Sequence, residues 1–127
     1  MSRSTFLLMS DFERLEDWCR MVRAIFGPNF GPFLVGSATE RPDYRDVDIR
    51  VILRDHTFDR LFRRRPEVVR FLNRAFSVWG QQETGLPIDF QVQRFTEANA
   101  EFPGGRNAMG LREWATLPTS GVPKAER

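Results

Sequence analysis

One cysteine, one histidine and no long apolar run limit what this chain of 127 residues is equipped to do. Cys19 has no second cysteine to pair with, which excludes an internal disulfide and fits a reducing cytoplasm. His56 has no Cys or His at metal-ligand spacing and, beside Thr57 at the start of a helix, reads as a surface residue. No apolar stretch approaches the roughly 18 residues of a membrane span. The N-terminal Phe6-Leu7-Leu8-Met9 is too short for a signal-peptide core and lacks a small-residue cleavage pattern. An excess of one charge is missing too. The formal net charge is +2, so totals imply no general nucleic-acid footprint. Internal repeats and a second domain are also absent.

What is present is ordinary for a globular chain, with 41% hydrophobic and 28% charged residues. Twelve Phe and three Trp point to an aromatic-rich core. The length suits one domain, near the lower end for a self-sufficient enzyme. Residues 10–95 form its core, and residues 96–127 a loop-rich C-terminal extension whose end, 115–127, is a loose tail. Ser10 with Glu13 three residues on is a capping-box pattern, and it opens a helix with Phe12, Leu15, Cys19, Val22 and Phe26 on one stripe. Gly27-Pro28 closes it. Pro32–Val35 reads as a short buried strand, and residues 38–45 as a polar connection. From Asp46 to Leu53 the alternation is clean, with Val47, Ile49, Val51 and Leu53 on one face and Asp46, Asp48 and Arg50 on the other.

Thr57 starts a short helix, and Pro66 sits at the first position of a longer one. That helix carries Val68, Val69, Leu72, Ala75, Phe76 and Trp79 and ends near Gly80 or Gly85. Ile88, Phe90 and Val92 alternate with Asp89, Gln91 and Gln93 in a third strand. Thr96–Glu101 makes one or two helical turns, and residues 103–107 a loop. The expected class is α/β (α+β), a small mixed sheet flanked by helices in the order α-β-β-α-β.

The chemistry lies on the polar faces of these strands. An apolar strand that runs into Gly36-Ser37 offers backbone N–H groups to a phosphate. Asp46 and Asp48 project to one side about 6.6 Å apart, two residues at roughly 3.3 Å each. They are placed to hold Mg²⁺ jointly or to straddle a metal pair. If the second and third strands are neighbours, Asp89 joins them. Three carboxylates so placed repel one another, and a cation converts that penalty into binding. The plainer reading is a solvated sheet face kept soluble by its acids, and Arg50 supports it by neutralising part of the cluster.

Together these residues resemble the polymerase-β-like nucleotidyltransferase superfamily, especially its minimal members. The segment from Val35-Gly36-Ser37 through Arg41-Pro42-Asp43-Tyr44-Arg45 to Asp46-Val47-Asp48-Ile49 carries the likeness, with Asp89 in the place of the third carboxylate. It covers about residues 11–93 and is similar to uncharacterised members from actinobacterial phage genomes. The resemblance implies a transferase in the cytoplasm, that of a host if phage-encoded. Such an enzyme moves a nucleoside monophosphate from an NTP, ATP favoured, to a hydroxyl on a protein, an RNA or a small molecule. It implies two Mg²⁺ ions, with Mn²⁺ as the substitute, held by Asp46, Asp48 and Asp89. Gly36 and Ser37 would hold the triphosphate, and Asp89 would help take the acceptor proton. The rival reading is an inactive module of the same fold that binds nucleotide or RNA.

Two departures bear on activity. The eight residues 38–45 make a shorter connection than the family usually has. Arg50 stands at a generally apolar position, where it either contacts a phosphate or pairs with Asp48 and blunts metal binding. Arg106, in Gly104-Gly105-Arg106-Asn107, is a candidate phosphate ligand if that loop folds over the site; an ordinary turn is the alternative. Arg60, Arg63, Arg64, Arg65, Arg70 and Arg74 read as a solvated basic face, with an RNA grip as the alternative. Tyr44 either stacks on a base or anchors its loop, and Trp18 and Trp79 belong to the core. So short a chain leaves little room for an acceptor domain, which points to a partner or a second copy as in a homodimer.

Overall fold

The alternating segments become the inner and outer strands of a four-stranded mixed sheet in a computed structural model, which describes residues 5–111. The chain runs α1 (Met9–Phe26), β1 (Phe33–Val35), a 3₁₀ turn (Gly36–Thr39), β2 (Val47–Leu53), α2 (Asp55–Phe62), α3 (Pro66–Thr84), β3 (Ile88–Arg94), α4 (Phe95–Glu101) and β4 (Asn107–Ala108). The sheet order is β3-β2-β1-β4. β1 pairs antiparallel with both β2 and β4, whereas β2 and β3 are parallel. That parallel pair requires a crossover, and α2 and α3 supply it. The expected mixed sheet flanked by helices is therefore observed. Among the described residues no helix is long and apolar enough to cross a membrane.

The core lies between one sheet face and the helices α1 and α3. Val47, Ile49, Val51, Leu53, Ile88, Phe90 and Val92 are all buried there, as their alternation predicts. Burial of each such side chain contributes about 1.5–3 kcal/mol. Aromatic rings fill the gap beneath the helices. Phe90 stacks on Phe76 at 4.9 Å and meets Trp18 edge-on at 6.2 Å, and Trp18 meets Trp79 at 5.7 Å. Gly80, inside α3, lies so close to the Trp18 ring that an added Cβ would sit 2.8 Å from it.

Several boundaries differ from expectation. α1 begins at Met9 with Leu8 as its cap and no side-chain cap bond, so Ser10 is inside the first turn and no capping box forms. Buried Leu7 holds the entry instead. α2 starts at Asp55, two residues before Thr57. α3 runs past Gly80 and stops at Gly85, whose φ of 72° is the left-handed turn that a helix end favours. Val68 faces outward, off the apolar stripe. Asn107, expected in a loop, pairs through β4 with Leu34 of β1. Glu16, buried on α1, accepts the Gly110 N–H at 2.5 Å and anchors the segment after β4. The loose tail expected at 115–127 lies outside the described residues.

β3 is an edge strand, yet its outward backbone groups are not free. Asn73, Ser77 and Gln81 follow one stripe of α3 and meet them in turn. Asn73 Oδ1 accepts from Val92 N–H at 2.9 Å, Ser77 Oγ accepts from Phe90 N–H at 2.9 Å, and Gln81 donates to the Ile88 carbonyl at 3.0 Å. An edge closed in this way cannot template another strand. Ser77→Ala should leave the Phe90 N–H unmet and cost about 1–2 kcal/mol of unfolding free energy. A urea midpoint unchanged from wild type would show that the edge does not depend on this hydroxyl.

Candidate active site

Strand register brings two of the candidate carboxylates side by side and a third candidate, Gly36, next to them. Val35 of β1 pairs with Asp48 of β2, and Asp48 pairs with Asp89 of β3. The row reads Val35, Asp48, Asp89 across the sheet, and Gly36 follows Val35 directly, at the end of β1 beside Asp48. Gly36 opens the 3₁₀ turn at φ +78°, a conformation that favours glycine. A Cβ there would strike Asp48 Oδ2 and lie 3.2 Å from the Phe102 ring, so glycine is required twice over. Ser37 continues the turn, and its carbonyl accepts from Glu40 and Arg41. Asp46 precedes β2, is exposed, and adds its negative charge to the field at Asp48.

Arg50 is the feature the alternation did not foresee. It shares the Asp48 face of β2 but is 1% exposed, because α4 and Phe102 cover that end of the face. Its Nη1 donates to the Asp89 carbonyl at 2.7 Å and to the Ile49 carbonyl at 3.2 Å. Its Nη2 lies 3.7 Å from Asp48 Oδ1 and 3.6 Å from Asp89 Oδ2, and its Nε lies 3.9 Å from Glu101 Oε1. Phe102 stacks over the guanidinium at 5.1 Å. Arg50 Nε and Gln93 Oε1 are both buried without a hydrogen-bond partner. Gln93 itself, expected to face outward, is buried under α4, where it donates to Glu101 at 2.7 Å.

The position of α4 is set from both ends. Asp55 accepts from the Thr96 backbone N–H at 3.1 Å and from its hydroxyl at 2.8 Å, and these bonds hold its carboxyl below the usual range. At the far end Gln93 fixes Glu101. Glu101 and Phe102 thus belong to the site although no motif singled them out. The helical turns of Thr96–Glu101 are readable in the sequence, but their landing over β2 is a tertiary fact. Arg106 donates to Asn99 of α4 and lies 5.9 and 5.7 Å from the Phe33 and Phe95 rings, and among the described residues it forms no ion pair with a carboxylate.

Asp48 is pushed up to about 6, first by burial, with Arg50 opposing that shift and Asp89 and Asp46 adding to it. Burial thus penalises the ionised form of Asp48 even with the guanidinium beside it. Hard carboxylate oxygens with residual negative charge are the donor set that Mg²⁺ takes, and Mg²⁺ commonly uses one or two carboxylates plus substrate phosphates. Among the described residues no group of three or more His, Cys, Asp or Glu side chains is already disposed to hold an ion. The Asp48–Asp89 pair with Asp46 beside it fits the substrate-assisted form of such a site and not a closed protein cage.

The remaining candidates take their bland readings. Tyr44 packs against the core, and burial followed by the charge of Asp11 pushes its hydroxyl up. His56 is exposed, and Cys19 is a buried free thiol raised by burial. No family model, curated protein or solved structure matches the chain.

Proposed function

We propose that this protein is a Mg²⁺-dependent nucleotidyltransferase that moves a nucleoside monophosphate from an NTP to a hydroxyl acceptor. The observation that carries the reading is the Asp48–Asp89 pair, in register on adjacent strands, with Gly36 against Asp48 where β1 runs into its turn and with Asp48 raised chiefly by burial. Gly36 and Ser37 would hold the triphosphate, and Asp46, Asp48 and Asp89 would hold Mg²⁺ or Mn²⁺. The ion supplies charge neutralisation for the phosphates, the main requirement of phosphoryl-type transfer. Asp89, whose side chain is 42% exposed, is open enough to receive the acceptor's proton. Arg50, held on two backbone carbonyls, keeps a fixed positive charge beneath the row. ATP is the favoured donor, and the cytoplasm, where ATP and Mg²⁺ are plentiful, is the compartment.

A second reading has its own support. Arg50 lies within 3.7 Å of both Asp48 and Asp89, where it can serve as a resident cation. On that reading the fold binds nucleotide or RNA without transferring anything. Thermal shift with ATP and Mg²⁺ separates the possibilities when combined with pyrophosphate release. At tenfold excess over Kd, binding contributes about 1.4 kcal/mol, a rise of roughly 3–6 °C for a chain of this size. Wild type should show that rise and Asp46→Asn/Asp48→Asn should not. Equal shifts in the two proteins would sink both the metal assignment and the transferase. A Mg²⁺-dependent shift without pyrophosphate release for any acceptor would favour the binding module.

A further inference from the structure

One side of α3 is packed and the opposite side is not. Asn73 and Ser77 bond to β3, and Gly80 lies against Trp18. Val68, Phe71, Ala75 and Val78 run along the other side, spaced by three, four and three residues. That spacing is the a–d–a–d repeat of a helix that pairs with another helix. Phe71 is 69% exposed, Val78 42% and Val68 36%, and Ala75 between them is half-buried. A lone exposed apolar side chain is ordinary on a folded surface. Several in one stripe along a helix mark a contact surface.

Glu67 and Arg74 decide what that surface receives. They stand seven residues apart on one flank of the stripe, nearly in line, with about 10 Å of rise between them and Phe71 midway. Both are exposed, and among the described residues neither is in an ion pair. We infer that the stripe binds the same stripe of a second copy of this chain, antiparallel, with Phe71 at the two-fold axis. A two-fold of that kind sets the same flank of each helix face to face. Each Glu67 then meets Arg74 of the partner subunit, and the ion pair forms twice. A parallel pair would set this flank against the one that carries Trp79, which already packs on Trp18, and would leave both charges unmatched. An acidic peptide or an anionic lipid surface would satisfy Arg74 and oppose Glu67. A surface with an acid and a base in reversed order matches both, and a second α3 is such a surface.

The contact bears on the candidate site through its position. Arg74 and Val78 also line an open groove of ≈ 670 Å³ between α3 and β3, which Asp46 and Asp89 line from the strand side. A second copy seated on the stripe therefore runs along the rim of that groove. The inference stands apart from the nucleotidyltransferase reading, because the contact uses neither metal nor nucleotide. One helix face is small beside the roughly 800 Å² that each partner commonly buries in a stable complex, so the expected association is in the micromolar range.

Sedimentation velocity of the full chain, from about 1 µM to about 1 mM, tests the contact. Wild type should pass from one chain to two across that range. Phe71→Asp should weaken the association by about thirtyfold or more, as loss of a central aromatic anchor does. Phe71 is exposed in the single chain, so the variant keeps its fold, and its melting curve at the lowest concentration verifies that. Glu67→Arg and Arg74→Glu should each weaken association by about tenfold, because each brings like charges together. The double variant Glu67→Arg/Arg74→Glu should restore it. Glu67→Arg also removes an acid from the first turn of α3. Melting of the single chain separates that loss from the loss of pairing. Wild type that remains one chain at the highest concentration overturns the inference. So does an association that Phe71→Asp leaves intact, or a double variant no better than the single ones. Binding to anionic lipid vesicles that Phe71→Asp abolishes, with the chain single throughout, would assign the stripe to a membrane and likewise overturn the second copy.

Discussion

Arg50→Met should lower the unfolding free energy at pH 7 by about 3–5 kcal/mol, the range for stripping one partner from a buried charge group. The guanidinium is 1% exposed, so water screens it little, and Asp48, Asp89 and Glu101 all approach it within 3.9 Å. Asp48 already stands at about 6 with Arg50 pulling it down. Without that charge its folded-state value climbs farther above the unfolded one, near 3.8. The folded variant then holds protons more tightly than the unfolded chain, so its stability falls as pH rises through the window above 4. The deficit should be smallest near pH 4, where the Asp48 carboxyl is protonated, and complete above pH 7. Urea unfolding at the two pH values measures it. An equal deficit at both would assign Arg50 to packing against Phe102 and not to charge. Millimolar Mg²⁺ should also raise the melting temperature of Arg50→Met more than that of wild type, because the ion takes up the charge the arginine left.

Legibility in the sequence followed the range of the interactions involved. Period-2 alternation along Val47–Leu53 and Ile88–Val92 identified two strands and their core faces, because one buried face imposes that pattern locally. Pro66 at the start of α3 and Gly85 past its end were likewise local signals. The Asp48–Asp89 neighbourhood needed one further assumption, that the two strands pair, and the parallel register meets it. What escaped was the covering of the polar face. Alternation assigned Arg50 and Gln93 to solvent, and both are buried because α4 folds back across β2 and β3. That return is held by Asp55 on Thr96 and Gln93 on Glu101, contacts between elements whose separate sequences give no hint of each other. For Arg106 the sequence left a loop over the carboxylates and an ordinary turn both open, and pairing of β4 with β1 sets the arginine against Phe33 and Phe95.

Asp48→Asn should do the opposite of Arg50→Met and stabilise the metal-free protein at pH 7 by about 1–2 kcal/mol. A carboxyl raised from 3.8 to about 6 is penalised by folding whenever it is ionised. Each unit corresponds to 1.36 kcal/mol, and the loss of one of Arg50's partners offsets part of the gain. The raised value also fixes the sign with pH. Wild-type stability from this group is fully present below about pH 4 and is lost as pH climbs through 6. Asparagine cannot titrate, so the two proteins should melt together near pH 4 and separate above pH 6, with the variant higher by roughly 3–6 °C. The same substitution should erase the ATP–Mg²⁺ shift. A variant that melts no higher than wild type at pH 7 would mean Asp48 is adequately neutralised, and the electrostatic case for a missing cation would fall with it. The expected pairing of gained stability with lost nucleotide binding is the mark of a group held in the fold for what it binds, since the fold alone is better off without its charge.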